Sequence, residues 1–596
     1  MSPRIEDYAM IGDGHSAALV RKDGSIDWLC WPRFDSDACF AALLGTADHG
    51  RWRIAPAERS VSSRRYRADT LILETEFETE AGAVRVTDFM PMRPCDGDPA
   101  PTLVRLVRGL RGVVEMALTL DLRFDYGSFT PWLEQSGDGT VTASVAPHLA
   151  VLRAPVELIV DDATVRAGFE VAEGTELAFV LRYGAAHEAP PGPIDAANCL
   201  RETDAFWTDW IGRFDGTTDW PDAVRRSLIT LKAMIHRPTG GIVAAPSTSL
   251  PEVFGGRENW DYRYAWLRDS TFTLRALLDA GYEAEAREWT TWLLRAVAGD
   301  PDKMRIAYHV DGARRLEEWE VDWLPGFRWS SPVRVGNAAA AQLQLDIYGE
   351  VMDTLWLASR TCMDHTAQVG KLEEAIVDHV AEIWREPDQG LWETRGRPRH
   401  YVYSKVMCWV AVDRCARMSA KAADLGSRRK SAGLAAEAQK MHDEICREGF
   451  DADLGHFTQH YGSQRVDASL LLLPLVGFLP VSDERIAGTI AAVEGDLAED
   501  GLVRRNDASD AASNAFLACS CWLADCQALQ GRTDAARKTF ERFLSIRNDV
   551  GLLSEQFDPH ARRMTGNFPQ ALSHLALVRT ALSLSNSTPV RSDGVT

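Results

Sequence analysis

Ala189-Pro190-Pro191-Gly192-Pro193 divides the chain into two halves with different hydrophobic periods. Three prolines and a glycine in five positions interrupt both helix and strand. Before this break the side chains alternate. Thr70–Phe77 reads Thr-Leu-Ile-Leu-Glu-Thr-Glu-Phe. Between Val141 and Val171 the same habit recurs in Thr142-Ala-Ser-Val145, Ala150-Val-Leu-Arg153, Val156-Glu-Leu-Ile-Val160 and Thr164-Val-Arg-Ala167. Period-2 alternation punctuated by Gly-Asp and Asp-Asp pairs predicts an antiparallel β-sandwich over residues 1–188. Residues 189–218 read as a linker carrying a helix from Arg201 to Phe214. From about Asp219 the period becomes 3.6. Twelve helical segments follow, at 222–236, 269–281, 283–298, 337–360, 366–385, 401–424, 430–447, 466–477, 483–498, 511–529, 531–546 and 569–584. Asp269 is the expected N-cap of the second. Runs such as Asn337-Ala-Ala-Ala-Ala-Gln342 offer small side chains for close helix packing. No fixed-length repeat marks a solenoid. Over 219–590 a solenoid of helical hairpins and a closed toroid of six inner and six outer helices would both account for the count, and 591–596 remain as a tail.

Net charge is −21, from 65 Lys and Arg against 86 Asp and Glu in 596 residues. That balance argues against a nucleic-acid partner, which needs clustered cations, and against an anionic membrane surface. It fits a small-molecule partner. Met1-Ser-Pro-Arg-Ile-Glu-Asp-Tyr8 lacks the basic start and apolar core of a secretory signal. The longest apolar run, Leu470–Pro480, is too short to span a bilayer and contains two prolines. The 11 cysteines are scattered, without CxxC pairs. Cys519, Cys521 and Cys526 sit among apolar neighbours and read as buried thiols, so a cytoplasmic, reduced protein is expected. Neither a metal nor a cofactor is expected, because no His or Cys cluster has ligand spacing and no dinucleotide or phosphate-loop motif occurs.

The chemistry-bearing residues lie between the helices. Gly390-Leu391-Trp392-Glu393 sets a carboxylate beside an indole, and Leu553-Ser554-Glu555-Gln556-Phe557 sets a second beside a phenyl ring. Glycoside hydrolysis uses such a pair. One carboxylic acid protonates the departing oxygen and one carboxylate activates water or attacks the sugar. Arg257–Asp269 interleaves Trp260, Tyr262, Tyr264 and Trp266 with Asp261, Arg263, Arg268 and Asp269, which suits rings that stack on sugars and charges that bond hydroxyls. Glu317, Glu318 and Glu320, in a tryptophan-rich loop, compete for the acid's role.

These blocks resemble glycoside hydrolase family 15, the glucoamylase-like family that includes glucoamylases, trehalases and isomaltose- or dextran-cleaving enzymes. The resemblance runs through Ile5–Ser16, Asp23–Asp35, Pro238–Pro251, Tyr262–Asp269, Pro332–Asn337, Leu391–Glu393 and Gly566–His574. It implies a β-sandwich joined to an (α/α)6 barrel, Glu393 as general acid, Glu555 as general base, and Trp266, Arg268 and Asp269 as holders of the terminal glucose. Tyr262, Tyr264, Arg334, Leu391 and Trp392, from the matching blocks, are the further substrate-binding residues it implies. Gly326-Phe-Arg-Trp329 departs from the Gly-Tyr-Arg-Gly that the resemblance leads one to expect, and Trp329 is expected to reshape the aglycone site. The implied activity is exo-acting, anomer-inverting release of β-glucose from α-glucosides. An α,α-trehalase and an α-1,6-glucohydrolase are the alternatives, and a phosphorylase of similar build is a more distant one. On this reading desolvation and nearby negative charge keep Glu393 protonated while Glu555 stays ionised.

Overall fold

The computed structural model describes residues 3–92, 97–297, 303–361, 366–420, 425–506 and 514–585. Among the described residues the alternating half forms fifteen antiparallel strands. The 20-residue strand Thr102–Asp121 organises them. Its first part pairs with Gly82–Phe89 and Glu176–Ala185, and its second part with Arg51–Pro56 and Thr164–Ala172. One strand therefore serves both sheets of a β-sandwich. The burial of Thr164–Ala172 alternates residue by residue, as a sheet with one wet face requires.

Helix Ala196–Ile211 links the halves, capped by the Asp195 side chain. Among the described residues twelve helices follow, and six of them form a closed ring. Leu267–Asp279 packs on Asp346–Thr361, then come Val402–Ala420, Leu472–Leu475, Leu517–Leu529 and Ala571–Ser585, and the last returns to the first. Ring helices such as Leu517–Leu529 are buried almost all round and carry apolar or small residues on every face. Helices Pro221–Ala233, Glu283–Ala296, Ala367–Ile383, Leu425–Glu448, Glu484–Asp496 and Thr533–Leu544 alternate with them in sequence and form the outer layer. The result is the (α/α)6 barrel behind a sandwich.

Several expected elements differ in detail. The stretch 337–360 is not one helix. Ala338–Ala341 forms a 3-10 turn capped by Asn337, and the α-helix begins at Asp346. Tertiary bonds override the alanine propensity here, because Asn337 also receives Arg395 and Gln342 reaches the backbone of Glu393. The stretch 466–477 is a 3-10 turn followed by the short helix Leu472–Leu475. The N-cap at the second segment is Trp266, and Asp269 lies inside the first turn, where a carboxylate still meets the positive end of the helix. Parts of the expected helices at 298, 421–424 and 511–513, and the tail 591–596, lie outside the described residues. Among those residues, eight cysteines are free thiols. Cys199 is disulfide-bonded, a departure from the fully reduced chain expected. No described helix is long and apolar enough to cross a membrane.

The two halves meet through buried polar contacts. Trp28 of the sandwich donates to the Pro246 carbonyl at 2.8 Å. Arg263 of the barrel is fully buried. It grips Asp261 with two donors, at 2.9 and 2.6 Å, and reaches across to the Ser36 carbonyl at 2.7 Å and the Tyr126 hydroxyl at 2.8 Å. The segment that carries Tyr262 is thus fastened to the sandwich.

Candidate active site

The loops that precede the ring helices converge on a cavity of about 440 Å³. Glu393 and Glu555 both line it, with Tyr262, Trp266, Arg268, Asp269, Leu391 and Trp392. Glu393 ends a tight turn in which its N–H bonds the Gly390 carbonyl at 3.1 Å. Its own φ is +56°, a left-handed conformation unusual for a residue with a Cβ. Gly390 is required there, because a Cβ would lie 2.7 Å from the Tyr401 ring at φ +69°. Oε1 of Glu393 accepts from the Trp266 indole at 2.7 Å and the Arg268 guanidinium at 2.9 Å.

Glu555 enters from the hairpin 556–565 and accepts the Tyr262 hydroxyl at 2.9 Å. The Tyr262 and Trp266 rings meet edge to face at 5.4 Å, so one short segment touches both glutamates. Gly566 adjoins Glu555 so closely that a Cβ would fall 2.4 Å from Oε2. Trp392 donates to Asp467 at 3.0 Å and packs against Phe516 and Trp522, which form an aromatic wall. Asp269 is pushed up to about 6, by burial first, against the pull of Arg268.

The charged neighbours of the two glutamates are placed the other way round from that expectation. Glu393 has a cation beside it in Arg268. Glu555 is 2% exposed, and burial, joined by the neighbouring Glu252, pushes its carboxyl well above the ordinary range against the opposing Arg505 and Tyr262. Glu252 and Arg505 line the cavity and were not expected from the sequence, nor were Glu258, Asn506, Phe516 and Trp522. The signal for Glu252 lay one residue beyond the block Pro238–Pro251. Arg505 stands between Arg504 and Asn506, with no aromatic residue close by in sequence that would have flagged it.

Three expected binding residues do not line the cavity. Tyr264 is buried, with its ring against His309. Arg334 stacks behind Trp260 at 4.6 Å and bonds the carbonyls of Arg257 and Asn259. Trp329 stands 79% exposed, because Arg328 and Trp329 both adopt positive φ and swing the ring outward. Glu317, Glu318 and Glu320 do not line it either. Glu318 instead holds Arg395 at 2.8 Å, and Arg395 does line it. Among the described residues no group of three His, Cys, Asp or Glu side chains is arranged to hold a metal.

Residues 220–582 match the glycosyl hydrolases family 15, and residues 1–207 match the trehalase-like N-terminal family. A trehalase of Mycobacterium tuberculosis is 35% identical over 614 residues, covering 97% of this chain and 89% of the relative. A trehalase of Thermoplasma volcanium is 32% identical over 589 residues, covering 98% and 94%. The crystal structure of a bacterial glucoamylase complexed with acarbose shares the fold, with TM-score 0.73 at 13% identity over 98% of this chain and 94% of that one. By the match over its barrel, which is more than half of its length, the chain belongs to glycosyl hydrolase family 15 and is a glycoside hydrolase.

Proposed function

We propose that this enzyme hydrolyses α,α-trehalose with inversion at the attacked anomeric carbon. The observation that carries the reading is the end-to-end match to relatives named trehalase, through the sandwich as well as the barrel. The cavity agrees with it. At about 440 Å³ it stands near the lower end of ligand pockets, which run from about 300 to 1,000 Å³, and so suits a disaccharide.

In this mechanism Arg268 and Asp269 bond the hydroxyls of one glucose, and the Trp266 and Trp392 rings cover its faces. Sugar hydroxyls that take up Arg268 loosen its hold on Glu393, which then gives its proton to the bridging oxygen. Glu555 takes a proton from the water that attacks the anomeric carbon. A carboxylate whose proton affinity is raised is a stronger base once ionised, so the environment of Glu555 favours the proton-accepting step.

The test is a panel of trehalose, maltose, isomaltose, dextran and starch read by glucose release. Trehalose is expected to give the highest kcat/KM, and a higher value for any other sugar overturns the reading. Proton NMR of fresh product checks the stereochemistry. Inversion releases β-glucose from the attacked ring and α-glucose from the departing one in equal amounts, whereas retention releases α-glucose alone.

A further inference from the structure

We propose that Glu252 positions Glu555 and sets the pH at which it ionises, acting through Arg505 and Gln556. The proposal deepens the hydrolase reading and rests on it. Glu252 is 3% exposed and carries a full set of donors. Its Oε2 accepts Gln556 Nε2 at 2.6 Å and the Arg505 guanidinium, and its Oε1 accepts the Trp260 indole at 3.1 Å. Its carbonyl accepts the Asn514 amide at 2.7 Å. A carboxylate engaged by three side chains is poorly placed to grip a sugar as well. It is well placed to fix Gln556, the residue that follows the base. The backbone repeats the connection, since the Pro251 carbonyl accepts the N–H of Gly566, and Gly566 is the glycine against which Glu555 rests.

The charged and titratable groups facing this pair are few. Arg505 is the cation, set between the Trp392 and Phe516 rings at 6.0 and 5.7 Å. Tyr262 donates to Glu555, Glu258 borders the same cavity, and Glu393 lies beyond Tyr262. Glu252 bonds this guanidinium directly, and the charge of Arg505 also acts on Glu555. The like charge of Glu252 makes the proton on Glu555 harder to lose, and Arg505 makes it easier. When water attacks the sugar, its proton passes to Glu555. Glu252 stabilises that protonated state until the proton leaves to solvent and Glu393 is protonated again.

The acid limb of the kcat/KM profile for trehalose reads the ionisation of the base. Glu252→Gln removes the like charge and leaves Arg505 acting on Glu555 alone, so the limb is expected to move to lower pH. Arg505→Gln is expected to move it to higher pH. Glu252→Asp keeps the charge and is expected to keep the limb near the wild-type position. An unmoved limb in Glu252→Gln, with activity lost evenly at every pH, overturns the proposal, as does a shift of both neutral variants in one direction. If Glu252→Gln does not fold, Arg505→Gln decides by the same rule. Carboxyl ¹³C resonances of glutamate-labelled protein, assigned with Glu555→Gln, follow the same titrations without turnover. Should no sugar be cleaved, the functional reading falls while the coupling of Glu252 to Glu555 is still measured.

Discussion

Glu393 and Glu555 share one cavity and little else. Glu393 sits on an irregular turn, keeps 15% of its side chain open, and has a guanidinium at 2.9 Å. Glu555 is buried at the edge of a hairpin, with a second carboxylate nearby and a phenol as donor. The difference teaches that residue type does not decide a carboxyl's part in the chemistry. The charge of its neighbours does, and those neighbours come from loops far apart in sequence.

The largest expected effect strikes the Glu555 side. Glu555→Gln should lower trehalose turnover by about 10²–10⁴-fold with the fold intact, the usual contribution of a general base. If more than about a tenth of the activity survives, Glu555 is not the base. Glu393→Gln should cost as much on trehalose and far less on α-glucosyl fluoride, whose leaving group needs no proton. Equal losses on both substrates would erase the distinction between the two carboxyls. Gly566→Ala should come next. Its Cβ cannot coexist with Glu555 Oε2 at 2.4 Å, and φ of +75° strains any Cβ there. A fall in kcat of roughly tenfold or more is expected from the displaced carboxylate, and wild-type kcat would mean that the placement of Glu555 is tolerant.

The smallest effect lies behind Glu393. Asp346 is fully buried near Arg268, and neither of its carboxyl oxygens has a hydrogen-bond partner. Burial raises its proton affinity in the folded state. A raised folded value means stability that is complete below the unfolded value of about 3.9 and is lost as pH rises through the folded one. Asn does not titrate. The melting temperature of Asp346→Asn relative to wild type should therefore climb between pH 4 and pH 8. A constant difference across that range would show that the Asp346 charge carries no cost in place.

Much of the architecture was legible because it rests on period. The alternation of Thr164–Ala167 and the apolar stripes of the helices report local geometry that any neighbour would find. The exceptions are instructive. Asn337–Gln342 reads as helix by composition, yet its side chains are committed to Arg395 and Glu393, and long-range bonds won. The motifs at Glu393 and Glu555 could be read because each sets a carboxylate beside an aromatic ring. Glu252 and Arg505 could not, because their meaning exists only once residues 252, 505 and 556 meet. Trp329 misled for the converse reason, since its residue type suits a sugar but its backbone turns the ring to solvent.

The grip of Arg263 bears on how this enzyme can be taken apart. A barrel cut free of its sandwich would lose the Ser36 carbonyl and the Tyr126 hydroxyl, and would leave a buried guanidinium partly unsatisfied beside the segment that touches both glutamates. The halves are therefore not interchangeable modules. A chimera that joins this barrel to another member's sandwich inherits a working segment only if the donor brings matching acceptors at those two positions.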